Sequence, residues 1–161
     1  MNTNDVEISI PQTRETMIKA SRNGMPEILS ANEALANFAH TPIFPWHLSV
    51  VMTVKEVAGE GMPTPAEGDL LLAIGDEIDA ALTGARTANG AINALFLVRS
   101  TWNGFRELEY YVHDAEVAHA ALQALIASRQ WQREWNYTLE EDPDWDKATP
   151  VFQRQRTPNS G

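Results

Sequence analysis

Two glutamates at two-residue spacing, Glu107 and Glu109 in STWNGFRELEYYVHD (residues 100–114), are the side chains of this chain best spaced for chemistry. On a β-strand, residues two apart point to the same side. A carboxylate pair on one face can work as an acid and a base or hold a hard cation. Against both uses, no histidine is assigned beside the pair, the chain has no DxDxDG loop, and Lys55 is expected nearby to neutralise it. His40, His47, His113 and His119 fall on different predicted elements and show no HxxxH or HExxH spacing. GxSxG, Walker A and GxGxxG are also missing. The motifs therefore call for no catalytic residue, no cofactor and no metal, and the preferred reading is not an enzyme.

The elements that position Glu107 and Glu109 follow from the flanking pattern. Asn103-Gly104 suits a two-residue type I′ turn, because both central residues need positive φ. Such a turn sets the register of strands 92–101 and 105–112, with Arg99 opposite Leu108, Leu97 opposite Tyr110 and Leu95 opposite Val112. These residues, with Arg106 opposite Thr101 near the tip, face the helices. Phe96, Val98 and Ser100 then oppose Tyr111, Glu109 and Glu107 on the helix-free side. With Thr53 and Lys55 from the strand at 47–56, the candidate binding face is Thr53, Lys55, Phe96, Glu107, Glu109 and Tyr111.

Elsewhere, WHLSVVMTVKEV alternates with one wholly apolar side. Thr64, Pro65 and Glu67 mark a helix start at N-cap, N1 and N3, and Leu71, Ile74, Ile78 and Leu82 recur behind them at helical spacing up to Gly84. Asp114 starts a second amphipathic helix, near 114–129, and a strand near 133–140 carries Trp135, Tyr137 and Leu139 on one side. Asn23-Gly24 joins two earlier extended runs. Residues 31–39 read as a helix capped by Ser30 and Glu33, or as a continuation of the second run. From Trp46 the order is β-α-β-β-α-β. The expected fold class is α+β: a ferredoxin-like antiparallel sheet with two helices on one face, plus an N-terminal β-hairpin that extends the sheet or covers its other side. One domain is expected over 1–152, with residues 1–14 and the tail 153–161 flexible. Trp145 in EDPDW is expected to fold back as a lid on the core.

Composition narrows the partners. The chain has 161 residues, 12 of them basic and 22 acidic, for a net charge of −10. That balance opposes binding to phosphate backbones and anionic membranes. The strand order is shared with the RRM, but here glutamates stand where an RNA-binding face needs basic residues. No nucleic acid and no membrane partner are expected; a basic protein is. The polar, acidic start has no signal-peptide pattern and there is no cysteine, so a cytoplasmic location is expected.

STWNGFRELEYYVHD, MPTPAE and EDPDW together resemble the bacterial family called domain of unknown function 695, from about Thr16 to Trp145. Relatives in that family include chains fused to a domain like the regulator of ribonuclease E activity B, itself a ferredoxin-like α+β protein. The resemblance implies no established activity and carries over no catalytic residue. Two functions follow as expectations. The first is a non-enzymatic, acidic, regulatory protein-binding module directed at a basic protein such as a nuclease. The second is a small-molecule-binding domain or enzyme, with a pocket between the helix-free face and the N-terminal hairpin.

Overall fold

The computed structural model describes residues 9–153. Residues 1–8 and 154–161, which hold most of the flexibility expected at the two ends, lie outside the described residues. The fold is α+β, with one six-stranded antiparallel sheet in the order β1-β2-β4-β5-β3-β6. The strands are β1 Glu15–Arg22, β2 Met25–Asn32, β3 Trp46–Thr53, β4 Ala94–Trp102, β5 Phe105–Val112 and β6 Trp135–Glu141. Helix α1 (Pro65–Gly84) links β3 to β4, α2 (Ala115–Ala127) links β5 to β6, and a short α3 (Thr149–Gln153) follows.

Local signals account for most of these boundaries. Both Asn-Gly pairs turn with positive φ at each residue, 53° and 77° at Asn23 and Gly24, 48° and 83° at Asn103 and Gly104. The Thr64 hydroxyl accepts from the Glu67 amide at 3.3 Å, and the Asp114 carboxylate accepts from the Glu116 amide at 2.9 Å. The ambiguous stretch after Ser30 divides. β2 runs on to Asn32, whose side chain caps a 3₁₀ turn over Glu33–Leu35 by accepting from the Ala34 amide. Ser30 does not cap; it lies in the strand and donates to Glu15 at 3.0 Å.

Each face of the sheet carries its own core. On one side Leu48, Val50 and Met52 of β3 and Leu108, Tyr110 and Val112 of β5 pack under Leu71, Ile74, Ile78 and Leu82 of α1 and Ala118 and Leu122 of α2. Each such buried aliphatic side chain contributes roughly 1.5–3 kcal/mol by leaving water. On the other side Ile18, Ala20, Leu29, Leu95, Leu97 and Val98 lie beneath Phe44, Trp145, Ala148 and Val151. Because α3 supplies Val151 to this second core, helices cover parts of both faces, which corrects the expectation of a single helical face. The N-terminal hairpin extends the sheet through β2 and β4. It does not fold over a face.

The register of β4 on β5 departs from expectation at one residue. Arg99–Leu108, Ser100–Glu107 and Val98–Glu109 pair as the turn predicts, but Leu97 is bulged. The extra residue shifts every pair beyond it, so Phe96 pairs with Tyr110 and Leu95 with Tyr111. Phe96 therefore sits on the helix side, edge-on to Tyr110 with ring centroids 5.6 Å apart. Leu95 and Leu97 enter the opposite core.

Candidate functional site

The structure gathers Glu107 and Glu109 on the face opposite α1 and α2, with Thr53 and Tyr111 on that same face, and carries Phe96 to the other. Val51 and Ser100 flank Glu107, and Ser49 and Val98 flank Glu109. Thr53, at the end of β3, and Lys55, beyond it, are both exposed. Phe96 belongs to the other face. Tyr111 is fully buried, its hydroxyl donating to Asp142 Oδ2 at 2.6 Å, so it offers no surface to a partner. Burial, then the neighbouring Asp142 carboxylate, pushes its phenol upward.

Two groups join the glutamates that sequence reasoning did not place beside them. His47 Nε2 lies 2.8 Å from Glu109 Oε1, because the β3–β5 register sets His47 next to Tyr111, one step along the same face. This corrects the expectation that no histidine neighbours the pair. Glu27 of β2 is buried, accepts from Ser100 Oγ at 2.6 Å and pairs with Arg22 at 3.3 Å. Burial, reinforced by the Glu109 charge, raises the Glu107 carboxyl above its ordinary range. Asn136, Thr138 and Glu140 of β6 are exposed alongside these groups. Among the described residues, no group of three or more His, Asp or Glu side chains is arranged to hold a metal ion. Chemically this is a hydrogen-bonded polar strip.

The other face carries a cavity. α1 and α2 cover the β5-β3-β6 half of the sheet, leaving Met17 and Ile28 of the hairpin exposed there. A groove of about 470 Å³ runs between α1 and the β4–β5 hairpin. Its position differs from that of the pocket expected between the helix-free face and the N-terminal hairpin. Leu71 and Leu72 of α1 and Phe96, turned this way by the bulge, line its apolar part, and Ile10 and Pro11 before β1 close one end. Its polar groups come from both walls. Arg99 and Arg106 rise from the sheet, Asp76 and Asp79 descend from α1, and the Tyr110 hydroxyl donates to Asp79 Oδ1 at 2.7 Å. Burial raises the Tyr110 phenol, and the Asp79 carboxylate adds to this. Burial, then the charge of Arg99, lowers Arg106 from its ordinary value. The sequence pattern already put Arg99 and Arg106 on the helix side. What it lacked was any sign that the helices would leave this part of the sheet open.

No curated protein and no solved structure matches this chain. Residues 16–148 match a family described as "Family of unknown function (DUF695)". The match covers most of the chain and takes in both Asn-Gly turns, the Thr64 helix start and Trp145. The chain belongs to the DUF695 family.

Proposed function

We propose that this protein is a small-molecule-binding domain whose site is the groove between α1 and the β4–β5 hairpin. The observation that carries the reading is the groove itself: about 470 Å³ of concave, largely apolar space on which Arg99, Arg106, Tyr110 and Asp79 converge. Small-ligand sites have this size and this mixture of apolar walls with a few oriented polar groups. A thermal-shift screen against a metabolite collection, repeated on Leu72→Trp, tests it. Leu72 is 42% exposed at the groove wall, so an indole there should obstruct the groove and leave the core intact. Ligands that stabilise the wild type and lose their effect in the variant are the expected outcome. A collection in which no compound separates the two proteins counts against the reading.

A second reading rests on the opposite face. Glu27, Glu107 and Glu109 are drawn together there on a chain of net charge −10, with Glu140 exposed nearby. Charge complementarity favours a basic polypeptide on this strip. A Glu107→Gln/Glu140→Gln variant should then release such a partner while keeping the groove ligands.

The ferredoxin-like description is part of the same proposal and applies to the stretch from β3 to β6. It is supported by the neighbour order β4-β5-β3-β6 and by two helical crossovers, each spanning one intervening antiparallel strand. The hairpin β1–β2 is then an addition at the β4 edge.

A further inference from the structure

We infer that the groove is an anion site, taking a small molecule with a carboxylate or phosphate group on an apolar body, the oxyanion held between Arg99 and Arg106. The inference rests on the groove being a ligand site and adds the chemistry of the ligand. Arg99 pairs with Leu108 and Arg106 with Thr101. The two arginines are thus diagonal neighbours on one face of the hairpin, roughly 7–8 Å apart across the two strands. That spacing lets two guanidinium forks close on one oxyanion from either side.

Their lack of partners points the same way. Arg22, Arg129, Arg133 and Lys147 each lie against a carboxylate. Acidic residues outnumber basic ones by 22 to 12, so carboxylates are plentiful. Yet among the described residues neither Arg99 nor Arg106 reaches one within ion-pairing distance, although both are partly buried. Arg106 donates from Nε to Thr101 Oγ1 at 3.1 Å. Of the carboxylates that line the groove, Glu15, Asp76 and Asp79, Asp79 is engaged by the Tyr110 hydroxyl and Glu15 by Ser30. Two like charges side by side on adjacent strands repel each other, and an anion between them removes that cost. Leu71, Leu72 and Phe96 supply the surface for the apolar body.

The test uses the full chain and three probes of similar length: octanoate, octyl phosphate and neutral octanamide. Calorimetric titration should show octanoate or octyl phosphate binding at least about tenfold more tightly than octanamide, since a site built for a charged group penalises its absence. Arg99→Gln and Arg106→Gln should each weaken the anionic probe by about tenfold or more. Arg129→Gln, at a residue that does not line the groove, should bind like wild type. Whichever anionic probe binds better identifies the oxyanion. If octanamide binds as well as the anions and all three are lost in Leu72→Trp, the anion assignment falls while the groove remains a ligand site. If neither anionic probe binds, the assignment falls too, and hits from the metabolite screen decide separately whether the groove binds ligands at all.

Discussion

The phenol ring of Tyr111 lies flat on the indole of Trp145, with centroids 4.0 Å apart and planes 10° from parallel. This contact clamps the C-terminal segment onto the sheet. The Trp145 Nε1–H donates to the Phe44 carbonyl at 2.9 Å, and the Tyr111 hydroxyl reaches Asp142 three residues before the tryptophan. Asp142 also accepts from the Asp146 and Lys147 amides, both at 3.0 Å.

Trp145→Ala should therefore cost roughly 3–5 kcal/mol, the range for emptying a large buried aromatic site. Tyr111→Phe keeps the stack and loses only the hydroxyl bond, so it should cost roughly 1–2 kcal/mol. Urea melts of both variants check the order. Equal losses would show that the hydrogen bond, rather than the stack, holds the segment.

The ion pair between Glu67 and Arg133 ties the start of α1 to the chain just before β6. Arg133 Nε and Nη2 meet the buried Glu67 carboxylate at 2.8 and 2.5 Å, and the Lys55 amide donates to it at 2.6 Å. Arg133, with smaller help from the backbone amides, outweighs burial and holds Glu67 at about 2, below its ordinary 4.5. A depressed carboxyl contributes stability that is complete above its unfolded value and is lost as pH falls through its folded one. Stability should thus decline from about pH 4.5 towards pH 2. Arg133→Met should destabilise the fold at neutral pH by leaving the Glu67 carboxylate without its cation, and its deficit should narrow over that acid window. Melting curves at stepped pH provide the check.

Glu107 has the opposite sign. Its carboxyl is raised by burial and by Glu109, so ionising it opposes folding as pH rises above the unfolded carboxylate range. Glu107→Gln should be neutral or stabilising at neutral pH, by roughly 0.5 kcal/mol. The gain should fade on acidification below the carboxylate range. Leu108→Ala, on the helix side of the same strand and 3% exposed, should cost roughly 2–5 kcal/mol. Denaturation of the two variants compares the faces directly.

Two glycines with nearly the same φ should respond differently to alanine. Gly24 and Gly61 have φ of 77° and 76°. A Cβ on Gly24 meets nothing within 4 Å, whereas one on Gly61 would lie 2.7 Å from the Asn103 Cα. The Gly61 carbonyl also accepts from the Gly104 amide at 2.8 Å. Gly24→Ala should cost roughly 1–2 kcal/mol from the left-handed conformation alone, and Gly61→Ala clearly more. Thermal melts of the pair would expose the difference.

Local pattern was enough to specify both Asn-Gly turns, the caps at Thr64 and Asp114, the apolar stripe of α1 and the helix-facing side of β3, β5 and β6. Each depends on residues close in the chain, where φ preferences and side-chain period act directly. Trp145 as a lid was also legible, from the proline-turned acidic segment around it. The bulge at Leu97 was not: inserting one residue breaks no local preference, yet it reverses the facing of every residue beyond it and carries Phe96 to the other side. The pairing of His47 with Glu109 and of Glu27 with Ser100 depends on which strands become neighbours. The groove depends on how far α1 and α2 extend across a sheet that β1 and β2 have widened. These are relations between distant segments, and only the packed chain, matching two helices to six strands, decides them.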